Sequence, residues 1–113
     1  PITTINEILS KQDIFFPDIV KIDAEGLDLE VLEGASECFG RPEIFMVEAA
    51  IVSKQMPNTF LTLVSYMDQN GYTLFDITDL NRPFKLGVLW LTEIVFVKKG
   101  GILDSLTQND IIN

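Results

Sequence analysis

Ile19-Val20-Lys21-Ile22-Asp23-Ala24-Glu25-Gly26 is a short apolar run that breaks into two carboxylates and a glycine, with an amphipathic helical pattern directly behind it. In order, it reads as a buried strand over residues 18–23, an acidic turn and a helix. In open parallel α/β sheets ligands sit just outside the carboxyl ends of the strands. Asp23 and Glu25 therefore fall where an acid facing a substrate would stand. Residue type alone leaves a plainer alternative open, because acids also favour helix N-termini and bond to loop amides.

The pattern extends in both directions from this stretch. Upstream, Thr4-Ile5-Asn6-Glu7 has capping-box spacing, which predicts a helix over 4–11, and Pro17 favours an extended connection into the strand. Downstream, Leu27, Val31, Leu32, Ala35, Cys38 and Phe39 share one side of a predicted helix, while Glu30, Glu33 and Glu37 form its solvated side. Asp28 reads as an acid near the exposed side that supports the first helical turn. Gly26 is expected to permit the turn, and Gly34 to relieve packing or end a helical segment. A second apolar run, Ile44-Phe45-Met46-Val47, ends in Glu48 and repeats the pattern of a parallel strand. Pro57-Asn58-Thr59 then starts a helix whose inner face is Phe60, Leu63, Val64 and Met67 and whose stop is Asn70-Gly71.

The last third changes character. Tyr72 to Ile77 and Glu93 to Lys98 read as strands, with a loop at Asn81-Arg82-Pro83 and an extra strand near Leu86–Leu91 between them. With no helical crossover, they are expected to pair antiparallel. Trp90, Phe60 and Tyr72 read as core or interface residues. Residues 102–113, polar after Leu106, are expected as a mobile tail.

Composition narrows the function classes. The 113 residues, 47% hydrophobic, fit one domain with a continuous core. A net charge of -9 repels phosphate backbones and anionic lipid, so nucleic acid and membrane surfaces are disfavoured partners. The absence of histidine leaves carboxylates, lysines, tyrosines and Cys38 for chemistry. The single cysteine forms no internal disulfide and is expected buried as a small hydrophobe. No run approaches the roughly 20 apolar residues that span a bilayer, and no secretory leader is recognisable, so a soluble, cytoplasmic chain is expected. Its start at Pro1 points to processing or to a cut from a longer chain.

Lys21-Ile22-Asp23-Ala24-Glu25-Gly26-Leu27-Asp28-Leu29-Glu30-Val31-Leu32-Glu33-Gly34-Ala35 resembles the K-I-D-x-E-G-x-E-x-x-V-L-x-G-A signature of FkbM-type methyltransferases. Thr4 to Leu9 resembles that family's T-x-D/N-x-L-L lead-in, and Ile44 to Glu48 its following strand that ends in glutamate. Asp28 stands where glutamate is usual, and Glu33 where a basic residue is frequent. The resemblance implies the C-terminal half of a Rossmann-like, α/β methyltransferase fold: parallel strands with helical crossovers, then a C-terminal antiparallel pair. S-adenosylmethionine is the implied cofactor and a small-molecule hydroxyl the implied methyl acceptor. The glycine-rich turn that lets a backbone approach the cofactor has no counterpart upstream of residue 18.

On that resemblance Asp23 and Glu25 are the implied catalytic carboxylates, Asp23 handling the hydroxyl proton and Glu25 orienting substrate or bracing the turn. Asp23 and Glu48 are the candidate ligands for a divalent metal, with a structural role for Glu48 as the competing reading. The isolated chain is expected to be inactive and to bind no cofactor tightly. A second function class is a noncatalytic assembly module that pairs through exposed sheet edges, with a homo-oligomer as its form. A third, a phosphoacceptor receiver domain, fails on order, because too little chain precedes Asp23.

Overall fold

Ile44–Ala50 is apolar at almost every position, and this places it inside the sheet as β2, paired on both edges. The computed structural model describes residues 4–11, 17–24, 26–53 and 55–112. The described elements run α1 (Ile5–Lys11), β1 (Ile19–Ile22), α2 (Asp28–Glu33), a 3₁₀ turn (Ser36–Cys38), β2, α3 (Phe60–Gln69), β3 (Tyr72–Asn81), β4 (Leu91–Lys98) and α4 (Ile102–Ile112). The four strands lie in the order β1-β2-β4-β3. β1 and β2 are parallel with Ile22 opposite Val47, and β4 runs antiparallel to both β2 and β3. The parallel pair and the final antiparallel pair agree with the sequence pattern.

One face of the sheet holds the core. Phe45, Val47, Ala49, Ile94 and Phe96 are fully buried there with Leu32 of α2 and Leu63 and Met67 of α3. α3 is the helix the period predicts: Thr59 caps it by accepting the Thr62 N–H at 3.3 Å, and Leu63 and Met67 turn inward. At the far end, Phe39, Phe45, Tyr66 and Tyr72 pack ring against ring, and the Tyr72 hydroxyl donates to the Pro42 carbonyl at 2.7 Å. Cys38 is buried, as its helical position predicts.

Four expectations are corrected. The helix predicted through Phe39 stops at Glu33, Gly34 serves as its C-cap, and a separate 3₁₀ turn follows. Gly34 is needed small, since a Cβ there would meet the Thr4 side chain at 3.2 Å. Leu27, expected inside, is 53% exposed, whereas Asp28, expected near the exposed side, is completely buried. No strand forms at 86–90: a turn closed by the Gly87 N–H on the Phe84 carbonyl occupies that segment, and β4 begins at Leu91. β3 runs on to Asn81, through irregularities between Leu74 and Asp76 and between Thr78 and Asn81. Ile102–Ile112 form α4, a helix with no buried residue. Among the described residues no helix is long and apolar enough to cross a membrane.

Candidate functional site

A cleft of about 380 Å³ opens at the carboxyl ends of β1 and β2, lined by Asp23, Glu48, Met56, Trp90 and Leu91. Because β4 is antiparallel, its first residue and Trp90 reach this same end. Two of the three sequence-predicted site residues thus meet in one place. Asp23 follows directly on β1 and is exposed, while Glu48 lies within β2 and is half-buried. Glu25 lies outside the described residues.

The turn between Asp23 and α2 is shaped by Gly26. Its φ of +100° is in the region only glycine adopts readily, and a Cβ there would meet the Met56 methyl at 3.1 Å. The Leu27 N–H closes the turn on the Ala24 carbonyl at 3.1 Å. Phe84 meets Trp90 edge to face at 5.7 Å and so braces one wall of the cleft.

Glu48 is held from behind. Register with β1 ends at Val47, and two side chains bond the main chain of Glu48. Oδ2 of Asp28 accepts the Glu48 N–H at 3.1 Å, and Nδ2 of Asn58 donates to the Glu48 carbonyl at 3.1 Å. Both side chains are fully buried. Burial, the largest influence, pushes the Asp28 carboxyl above the ordinary carboxylate value, while the amides of Glu48, Gly26, Ala24 and Asp28 itself pull the other way. Among the described residues, Oδ1 of Asp28 and Oδ1 of Asn58 are buried with no hydrogen-bond partner.

Beside Glu48, on the same face, stands Glu93 of β4. The Lys98 N–H on the Glu43 carbonyl and the Ile51 N–H on the Trp90 carbonyl fix the ladder phase, which makes Glu48 and Glu93 a pair without mutual main-chain bonds, the closer of the two spacings. Lys21 lies 3.6 Å from the Glu93 carboxylate, and the Thr78 hydroxyl donates to it at 3.1 Å. Asp23 and Glu48 offer a hard cation two carboxylates. Among the described residues no three histidine, cysteine or acidic side chains gather as a metal-holding group. A larger groove of about 540 Å³, lined by Glu43, Lys98 and the start of α4, lies at the opposite end of the strands.

Sequence reasoning missed Asp28 and Asn58 as supports, and Met56 and Trp90 as cleft walls. Asn58 carried only a helix-start signal, and nothing in the local pattern distinguishes Asp28 from an acid that compensates a helix dipole.

The parallel pair, the acid-bearing strand-to-helix turn and the cleft at the strand ends define an α/β domain with a cleft at the carboxyl edge of its parallel strands. The methyltransferase FkbM domain model matches residues 1–74, and the chain belongs to that family. The match takes in β1, α2, β2 and α3 with Asp23, Glu25 and Glu48, and ends within β3. No curated protein and no solved structure matches the chain.

Proposed function

We propose that this chain supplies the acceptor-facing part of an S-adenosylmethionine-dependent O-methyltransferase domain of Rossmann-like fold, in which Asp23 is the carboxylate that receives the acceptor's hydroxyl proton. The observation that carries this reading is the convergence of Asp23 and Glu48 on one cleft at the ends of parallel strands, in a chain of the FkbM family. A carboxylate within hydrogen-bond reach of a hydroxyl orients its lone pair and takes the proton as the oxygen becomes a nucleophile. Glu25 retains the role of orienting substrate. Asp23 and Glu48 are the donors a magnesium-like ion would use, since such ions take one or two carboxylates and keep waters besides.

S-adenosylmethionine supplies the methyl group in such domains, but the described residues do not fit it by themselves. Gly26 is the positive-φ glycine at the turn beside the cleft, and Met56 fills the space its missing Cβ leaves, so it offers no cradle for a nucleotide; Gly100, with positive φ between β4 and α4, lies at the opposite end of the strands. The donor-binding half is proposed to come from elsewhere on the polypeptide or from a partner, and the 113 residues alone are proposed to be inactive. Calorimetry of the chain with S-adenosylmethionine and S-adenosylhomocysteine is expected to give no saturable binding, and one site per chain would overturn the half-site reading. In a form that carries the donor-binding half, labelled methyl transfer to hydroxyl acceptors should fall about 100-fold with Asp23→Asn. Unchanged transfer would remove Asp23 from the chemistry.

One observation favours a second reading, assembly of copies through an open edge: β1 ends the described sheet with Ile19 55% exposed.

A further inference from the structure

At the end of β1 the main chain of Glu48 meets two buried side chains on its β1 side. The Ile44 N–H bonds to the Asp18 carbonyl, and this phase turns the polar groups of Ile44, Met46 and Glu48 toward β1. Ile44 and Met46 pair with β1, and the last pairing, Ile22 with Val47, brings the Ile22 carbonyl to the Glu48 N–H. Here Oδ2 of Asp28 also accepts the Glu48 N–H and Nδ2 of Asn58 donates to the Glu48 carbonyl, each at 3.1 Å and each on a side chain fully removed from solvent.

Burying two polar side chains at one strand residue is costly unless each is bonded, and here the Oδ1 of each is unmatched among the described residues. An apolar pair would fill the same space without that cost. The sacrifice is made at the one β2 residue whose carboxylate lines the cleft beside Asp23. Asn58 is itself fixed, since its carbonyl accepts the Ala50 N–H at 3.0 Å. Asp28 is fixed as the first residue of α2.

We propose that Asp28 and Asn58 are positioning residues, a two-sided clamp on the main chain of Glu48 that sets how its carboxylate enters the cleft. The role rests on the reading of this cleft as the acceptor side of a methyltransferase domain. The clamp itself is measurable without cofactor or acceptor.

The test is amide hydrogen exchange and the side-chain carboxyl carbon resonance of Glu48, both by nuclear magnetic resonance on the 113-residue chain. Asp28→Leu should speed exchange at the Glu48 amide about tenfold and shift its carboxyl resonance, with the amides of Phe45 and Val47, bonded to β4, unchanged. Asp28→Asn keeps an acceptor oxygen and should restore both signals toward wild type. Asn58→Leu should shift the carboxyl resonance from the other side. Should the leucine variants fail to fold, wild-type protein still decides the matter: a scalar coupling across the hydrogen bond, from the Glu48 amide nitrogen to the Asp28 carboxyl carbon, should be detectable. Equal loosening of all β2 amides would reduce Asp28 to a structural residue and overturn the proposal. So would a silent Glu48, or an absent coupling. Failure of methyl transfer with these signals intact would discard the methyltransferase reading and leave the clamp.

Discussion

Asp28 is wholly buried, and its ionised form loses more from that burial than neighbouring amides return, so the fold favours the neutral acid. A carboxyl raised in the folded state adds stability that is complete below the unfolded value, 3.8, and is lost as pH rises through the folded one. Asp28→Asn removes that loss. Urea denaturation of both proteins from about pH 4 to about pH 7 should therefore show the asparagine variant gaining on wild type as pH rises, and a constant or shrinking difference would contradict a raised Asp28. At this scale the candidate site was half legible in the sequence. Asp23 and Glu48 could be placed because a strand's end is visible in an apolar run that stops. Asp28 and Asn58 could not, because what defines them is a partner 20 and 10 residues away, and no local period encodes that.

Among the elements, α4 depends most on a single contact. It buries no residue, and its N-terminus is tied to the sheet by Glu43, whose Oε1 accepts the Ile102 N–H at 3.0 Å. Gly101 leaves room for that carboxylate: a Cβ there would lie 2.5 Å from the Glu43 Oε2 and 3.0 Å from the Lys98 carbonyl. Gly101→Ala should cost about 1–3 kcal/mol in chemical denaturation. In a double-mutant cycle Glu43→Ala should relieve part of that cost, and strict additivity would show that the two do not meet. The same helix shows why parts of the fold escaped sequence reading. Its apolar residues Ile102, Leu103, Leu106, Ile111 and Ile112 form no stripe at helical spacing, since it packs no continuous face on the core. α3 was legible because Leu63 and Met67 do pack such a face. α2 was read too long because the apolar spacing runs through Gly34 into the 3₁₀ turn, and burial of Ala35 and Cys38 continues although the helix does not.

The whole molecule is a slab, 51 × 49 × 20 Å, its short axis about the thickness of one sheet and one helix layer. Its radius of gyration, 15.1 Å, exceeds the roughly 13 Å of a compact chain this long. α2 and α3 cover one face, whereas on the other Ile44, Met46, Glu93 and Val95 are only half-buried and Ile19 and Lys21 are exposed. Among the described residues the edge of β1 is open as well. With Asp18, Val20 and Ile22 turned to β2, the main-chain groups of Ile19 and Lys21 point outward. A flat edge with Ile19 on it pairs readily with a like strand. The isolated chain should therefore show a mass above that of the monomer in light scattering at about 0.1 mM, the weak range expected for a small interface. Proline has no N–H, and at residue 19 that group is not part of the β1–β2 ladder, so Ile19→Pro should return the mass to 12.7 kDa with the circular dichroism of wild type. A monodisperse wild-type monomer would show that this edge does not drive association by itself. An Ile19→Pro variant that stays associated would move the contact from the β1 edge to the open face of the sheet.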